Sequence, residues 1–196
     1  MYCGSRLGFG AICLGGVVAD ATDGWFFRIE KAIRALKDFL PELDQVLLSH
    51  PFFMERTRGL AAVSSEQAKR GNLLGPNARV SGLLDRDLRS ISPYGAYALG
   101  VQPKTFEGSL TGDVLARSRA RATEILQSAD LIEGGFRKIP AGNHRIRVGM
   151  EVCPEPGQAL SSVEGPRGAI YVLAEADGRN HPANVRFFGP SAMAVQ

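Results

Sequence analysis

The apolar positions of the chain follow two different spacings. Phe26, Ile29, Ile33, Leu36, Leu40, Leu43 and Leu47 recur every three or four residues, which marks one face of an amphipathic helix or helix pair. Thr22 or Asp23 can cap its start, and Pro41 is expected to kink or split it near Leu40. The stretch PFFMERTRG follows, and its Met and aromatic cluster is expected to pack in the core. In SSEQAKRG, Ser64 with Gln67 three residues later fits a capping box and Gly71 fits a helix stop. The segment TGDVLARSRARATEILQSADLIEGG predicts the clearest helix. Its stripe is Leu115, Ala122, Ile125, Ala129 and Ile132, with Thr111 or Asp113 at the start and Gly134-Gly135 at the end. From Pro140 the spacing drops to two. Ile146, Val148 and Met150 alternate in HRIRVGM, and GAIYVLAEADGRNHPANVRFF reads as two strands around an Asp177-Gly178 turn. Helices first and strands afterwards give an α+β class. The chain is then one partial domain over 1–196, mainly helical over 1–136, with a β-rich end over 137–196 that holds a small antiparallel hairpin.

Composition narrows the function. With 196 residues, 44% apolar and 22% charged, the chain is an ordinary globular protein. A net charge of +3 and the lack of a stacking-aromatic motif argue against a nucleic-acid partner. Arginine supplies 18 of the 23 basic residues, and guanidinium makes planar paired contacts that ammonium does not. Codon bias is the plainer explanation of that excess. Cys3, Cys13 and Cys153 form no CxxC pair, so neither a disulfide framework nor a zinc site is expected. The first stretch, MYCGSRLGFGAICLGG, carries five glycines and no basic leader, so it reads as a turn-rich start rather than a signal peptide. No apolar run reaches the roughly 18–20 residues of a membrane span.

Between the helices, LLGPNARVSGLLDRDLRSISPYGAYALG reads as a long ordered loop with short helical pieces, a kind of segment that often carries function. Gly75, Pro76 and Gly82 would stiffen GPNARVSG and present Arg79 on a rigid loop. Arg79 is then either an anion clamp or the centre of a structural ion pair with Asp85 or Asp87. Asp85 and Asp87 beside Arg86, Arg89, Tyr94 and Tyr97 could do acid–base work, or they form a salt-bridged loop, the preferred reading. Asp113 lies four residues before Arg117, the spacing of a helix-stabilising pair. Arg117 and Arg121 share a face and repel unless each finds an acid. His50, His144 and His181 stand without a partnered nucleophile, and no GxSxG or HExxH motif occurs. A charged arginine in VEGPRGAIYV, between Pro166 and Gly168, has a purpose only if its fork of donors lines a site.

Taken in order, these stretches resemble one superfamily. CGSRLGFGAICLGGVVAD, then GPNARVSG, then DLRSISPYGAY, then GD opening a long helix, then VEGPRG leading a strand, are similar to the large subunit of the nickel–iron hydrogenases and to its relative, the 49 kDa (D) subunit of NADH-quinone oxidoreductase. The likeness runs from about Cys3 to Ser191. Only about two dozen residues join Pro140 to Glu164, which is more similar to the membrane-bound, energy-converting hydrogenase branch. The resemblance implies that Arg167, with Glu164, Pro166 and Gly168, belongs to the catalytic cavity. In hydrogenases this arginine hangs over the nickel–iron (NiFe) centre and serves in H₂ cleavage, and in the quinone-reducing relatives it persists beside a cavity without metal. Arg79, Asp113 and Arg117 are then cavity-shaping residues.

The chain departs from that pattern in its metal ligands. The hydrogenase branch holds its metals with cysteines of two CxxC motifs, and neither is present here. Thiolate ligation of nickel needs those sulfurs. The expectation is a central piece of a larger subunit that alone binds no cofactor and turns over no H₂. The NiFe centre or quinone would belong to the complete complex, and NAD(H) to partner subunits. Implied partners are an iron–sulfur small subunit against the arginine-rich loops, membrane subunits and the missing segments of the large subunit. The implied location is the cytoplasmic face of a membrane, as a peripheral subunit. A non-catalytic assembly or interaction protein descended from this family is the other reading.

Overall fold

The computed structural model describes residues 10–149, 153–179 and 182–190. Two short strands, β1 (Ile12–Cys13) and β2 (Gly16–Val17), form a small antiparallel ribbon at the start. Helix α1 spans Asp23–Leu43 and is capped by the Thr22 hydroxyl, which accepts from the Trp25 N–H. Pro41 does not split it. The helix runs through Pro41 and then widens into a π-helical turn, Asp44–Leu48, where the Ser49 N–H reaches five residues back to the Asp44 carbonyl at 2.7 Å. Proline removes one rung of the ladder, and near a helix end the widened turn absorbs the change.

Four short helices follow: α2 (Pro51–Thr57), α3 (Ser65–Arg70), α4 (Gly75–Val80) and α5 (Leu88–Ile91). The imidazole of His50 caps α2 by accepting from Phe52 N–H. The capping box forms at α3, with both the Ser64 and the Gln67 side chains engaged and Gly71 ending the helix. PFFMERTRG is only partly core, because Phe52 stands exposed while Phe53 and Met54 are half-buried. GPNARVSG is not a loop: its first six residues form α4, with Pro76 in the first turn, where proline costs no hydrogen bond.

Helix α6 (Val114–Phe136) starts at Asp113 and runs past Gly134-Gly135 to Phe136, beyond the expected stop. It lies antiparallel to α1. Phe136 meets the edges of Trp25 and Phe26, Lys37 bridges Asp130 and Glu133 at 2.7 and 2.8 Å, and Arg119 donates to the Leu48 carbonyl at 3.3 Å. The buried face of α6 is Leu115, Ala116, Ala120 and Ala129, whereas Ile125 and Ile132 of the expected stripe stay largely exposed. Small residues at 116 and 120 admit Val80 of α4 and Phe106 into close contact. A second cluster joins Ala68, Ala78 and Leu83.

The C-terminal part is a three-stranded antiparallel sheet in the order β3 (Gly157–Gly165), β4 (Gly168–Ala176), β5 (Asn184–Phe188). The hairpin of β4 and β5 around Asp177-Gly178 forms as expected, and β3 adds a strand. HRIRVGM forms no strand over its described residues. It docks on the first ribbon through Val17 N–H to the His144 carbonyl and Ile146 N–H to the Gly15 carbonyl, and Met150 lies outside the described residues. The architecture is α+β with the helices first.

Candidate functional site

The site begins with a contact between backbones. Gly75 opens α4 at φ +62°, and Gly168 opens β4 at φ +124°; both are backbone conformations that favour glycine. A Cβ on Gly75 would run into the Arg167 carbonyl and the Gly168 nitrogen, and one on Gly168 would strike Leu74. The start of α4 is therefore seated against the Pro166-Arg167 turn, and Arg79, one helical turn further on, is delivered to the end of β3 where Glu164 sits.

Around Arg79 five charged side chains from four elements converge. Its Nε donates to Glu124 Oε1 of α6 at 2.7 Å. Its Nη1 lies 3.5 Å from Asp87 Oδ2 and 3.6 Å from Glu164 Oε1. Arg89 makes a forked pair with Asp87, Nε to Oδ1 at 2.9 Å and Nη2 to Oδ2 at 2.6 Å. The structural reading of the arginines thus holds, with Asp87 rather than Asp85 as the partner and with Glu124 and Glu164 added. Glu164 is the most enclosed of the set, its side chain 3% exposed. Its Oε2 accepts from Leu88 N–H at 3.3 Å, and its backbone N–H donates to the Tyr94 hydroxyl at 2.8 Å. Its Oε1 is buried with no hydrogen bond.

The carboxyls are not equivalent. Burial pushes the Glu164 carboxyl up from its ordinary value and the nearby Asp87 charge pushes it further, against the opposing pull of Leu88 N–H, Arg79 and Arg89. Burial also penalises ionised Asp87, but the Arg89 hydrogen bonds and the charges of Arg89 and Arg79 outweigh it and hold its carboxyl below the usual range. Arg89 is correspondingly raised by Asp87.

This network forms one wall of a crevice of about 570 Å³. Ile33 and Leu36 of α1 and Ile125, Ala129 and Ile132 of α6 make the opposite, apolar wall, and Pro166 and Arg167 sit at its lip. The sequence suggests a sheltered Arg167. In the fold it lines the same crevice as Arg79 but is exposed, because the turn that carries it projects beyond the helices. Gly168 behind it is buried.

Asp113 and Arg117 stand apart from the crevice and do different work. Asp113, 4% exposed, accepts from Ala116 N–H at 2.7 Å and from Gly59 N–H at 2.8 Å. It is a helix cap that also pins the loop after α2, rather than one half of the expected pair. Burial raises its carboxyl, and the two N–H donors, with help from Thr111 and Arg117, more than reverse this. Arg117 donates to the carbonyls of Gly112 and Ala61, and Arg121 to the Arg117 carbonyl and Asn77 Oδ1, so both are satisfied without an acid. His144 approaches Asp20 at 3.9 Å, while Cys3 and His181 lie outside the described residues.

Glu124 is a partner of Arg79 that the sequence reading misses. The available signal was its spacing: Arg117, Arg121, Glu124 and Ser128 recur on one side of α6. Among the described residues no cluster of three or more His, Cys, Asp or Glu is arranged to hold a metal ion. Cys13 lies in β1 and Cys153 is exposed before β3. These thiols do not fit a four-thiolate nickel–iron centre.

Comparison with known proteins agrees with this geometry. The family described as respiratory-chain NADH dehydrogenase, 49 Kd subunit, matches residues 1–155. The NADH-quinone oxidoreductase D subunit of Desulforamulus reducens is 31% identical over 193 residues, 97% of this chain and 51% of the relative. The protein of that name from Geobacillus thermodenitrificans is 31% identical over 195 residues, covering 98% and 52%. A solved chain from the membrane-bound sulfane sulfur reductase, an archaeal respiratory membrane complex, superposes with a TM-score of 0.82 at 27% identity, covering 91% of this chain and 49% of that one. The chain spans about half the length of the relatives it matches. The converging arginines, the glycine-packed turn and these likenesses place it in one group: the chain belongs to the family of the 49 kDa subunit of respiratory-chain NADH dehydrogenase.

Proposed function

We propose that the chain is the central part of the large subunit of a membrane-associated redox complex, of the NADH-quinone oxidoreductase and hydrogenase type, where it shapes the active-site cavity and docks an iron–sulfur subunit. The observation that carries this reading is the crevice itself. A dense Arg–carboxylate wall faces an apolar wall, with Arg167 at the lip, in a chain of the 49 kDa family. Such a cleft suits an acceptor with an apolar body and oxygen atoms that gather negative charge on reduction.

Arg167 is the cation placed to meet that charge, and Glu164 the acid beside it. Both roles are proposals, as are the iron–sulfur and membrane partners, a place on the cytoplasmic face of the membrane, and NAD(H) chemistry confined to partner subunits. No helix among the described residues is long and apolar enough to cross a membrane, so attachment would run through partners. The short link from Pro140 to Glu164 and the sulfane sulfur reductase likeness support the membrane-bound branch, while the sequence relatives belong to the NADH-quinone oxidoreductases. The residues present do not fit a nickel–iron centre, and no step is routed through one.

The test is purification of the chain from its native membranes in mild detergent. Co-purification with iron–sulfur signals and an acceptor-reducing activity that falls at least tenfold in Arg167→Gln supports the proposal. Recovery as a solitary protein, with no redox centre in any fraction that contains it, overturns it.

A further inference from the structure

Glu164 is the one group of the network whose placement is not explained by ion pairing. Three oxygens around Arg79 and Arg89 are held by hydrogen bonds: Glu124 Oε1 and both oxygens of Asp87. Glu164 Oε1 is buried and holds none, although Arg79 Nη1 stands only 3.6 Å away. An ionised carboxylate this enclosed would draw the guanidinium in to hydrogen-bond distance, as Glu124 does. Arg79 is instead turned to Glu124, and its Nη1 is divided between Asp87 and Glu164. The other oxygen of Glu164 is already an acceptor for Leu88 N–H, which leaves Oε1 as the seat of a proton.

The surrounding charges agree. Glu164 is faced by Arg79 from α4, by Asp87 and Arg89 from α5 and its cap, by Glu124 from α6 through Arg79, and by the Tyr94 hydroxyl at its own backbone. With all three acids ionised, two guanidiniums would face three carboxylates in one enclosed cluster. One proton on Glu164 balances the set.

We propose that Glu164 is a proton-exchange site in the crevice wall, a carboxyl that carries its proton on Oε1 and gives it up to an oxyanion formed in the crevice, Arg79 then closing on the carboxylate left behind. The step balances: the O–H bond of Glu164 breaks, its electron pair stays on Oε1, and a new O–H bond forms on the acceptor oxygen. The acceptor chemistry rests on the crevice reading given above, but the resting proton does not.

Infrared difference spectroscopy of the full chain tests it first, comparing wild type with Glu164→Gln and Asp87→Asn across pH in H₂O and D₂O. The expected result is a deuterium-sensitive carboxylic C=O band at neutral pH in the wild type that is missing in Glu164→Gln and titrates away at lower pH in Asp87→Asn. Its absence from the wild type at neutral pH, or its persistence in Glu164→Gln, overturns the proposal. If Glu164→Gln does not fold, carbon-13 labelled glutamate carboxyls in the wild type decide instead. One carboxyl that titrates well above the others supports the proposal, and all of them titrating together overturns it. In the purified complex Glu164→Gln is expected to keep KM and lose at least tenfold in kcat with a flattened pH profile. A band present with unchanged kcat overturns the transfer step alone, and failure of co-purification leaves the spectroscopic result standing.

Discussion

Gly75 and Gly168 meet backbone to backbone, and this one crossing sets the distance between Arg79 and Glu164. Neither position has room for a methyl group, and both have φ values that side chains rarely adopt. Gly75→Ala or Gly168→Ala is expected to cost about 2–4 kcal/mol from combined strain and overpacking. Denaturant unfolding would show the loss. Gly134→Ala inside α6, where a Cβ meets nothing, should instead be neutral or stabilising.

Arg79 holds Glu124 and faces Asp87 and Glu164 from a side chain only 10% exposed. Arg79→Met leaves three acids crowded without that cation, and breaking such a buried pair costs about 3–5 kcal/mol. Part of the loss should return at acidic pH as the acids take up protons. A loss that stays the same from neutral to acidic pH would contradict the network.

Asp113 should be worth more than an ordinary cap, because it also satisfies Gly59. Asp113→Ala is expected to cost about 2–3 kcal/mol, the cap plus a stranded N–H. The folded carboxyl lies below its ordinary 3.8, so its stabilisation is present above that pH and is lost as pH falls through the folded value. Asp113→Asn should flatten that acid limb in a pH series of melting temperatures.

Glu164 has the opposite sign. Its folded carboxyl lies above the ordinary 4.5, so the folded state binds the proton more tightly, and stability is lost as pH rises through the folded value. Each unit of such a shift is about 1.4 kcal/mol. Glu164→Gln should therefore melt at or above wild type at neutral and higher pH, and the gap should shrink towards the ordinary carboxyl range. A variant that is less stable at high pH than at low pH, relative to wild type, would contradict a raised carboxyl.

Arg167 is exposed at the crevice lip, so Arg167→Gln is expected to change stability by less than about 1 kcal/mol while lowering activity. Melting temperature and turnover measured on one preparation separate the two effects.

What the sequence made legible was local. The capping box of Ser64 and Gln67, the cap at Asp113 and the Asp177-Gly178 hairpin each depend on residues a few positions apart, and each formed. The crevice was only half legible. Arg79 and Arg167 stand out as charged residues beside glycine and proline. The partner Glu124 lies 45 residues from Arg79, a contact that no helix or strand period encodes. HRIRVGM shows the other limit. Alternation makes a segment able to be a strand, but a strand needs a neighbour to pair with, and this one is held only at His144 and Ile146. Pro41 warned of a break, and the chain widened its next turn instead.

Strand β3 has a practical consequence for anyone handling the protein. It is nine residues long, lies at the margin of its sheet and carries no lysine or arginine. Among the described residues its outer backbone is engaged at Glu164, by Tyr94, while Gly157–Val163 offer their outward amides and carbonyls to any passing chain. Such a margin templates edge-to-edge aggregation. Concentrated preparations should clump through this ribbon, and a single lysine at Ser161 would be the simplest remedy for solubility.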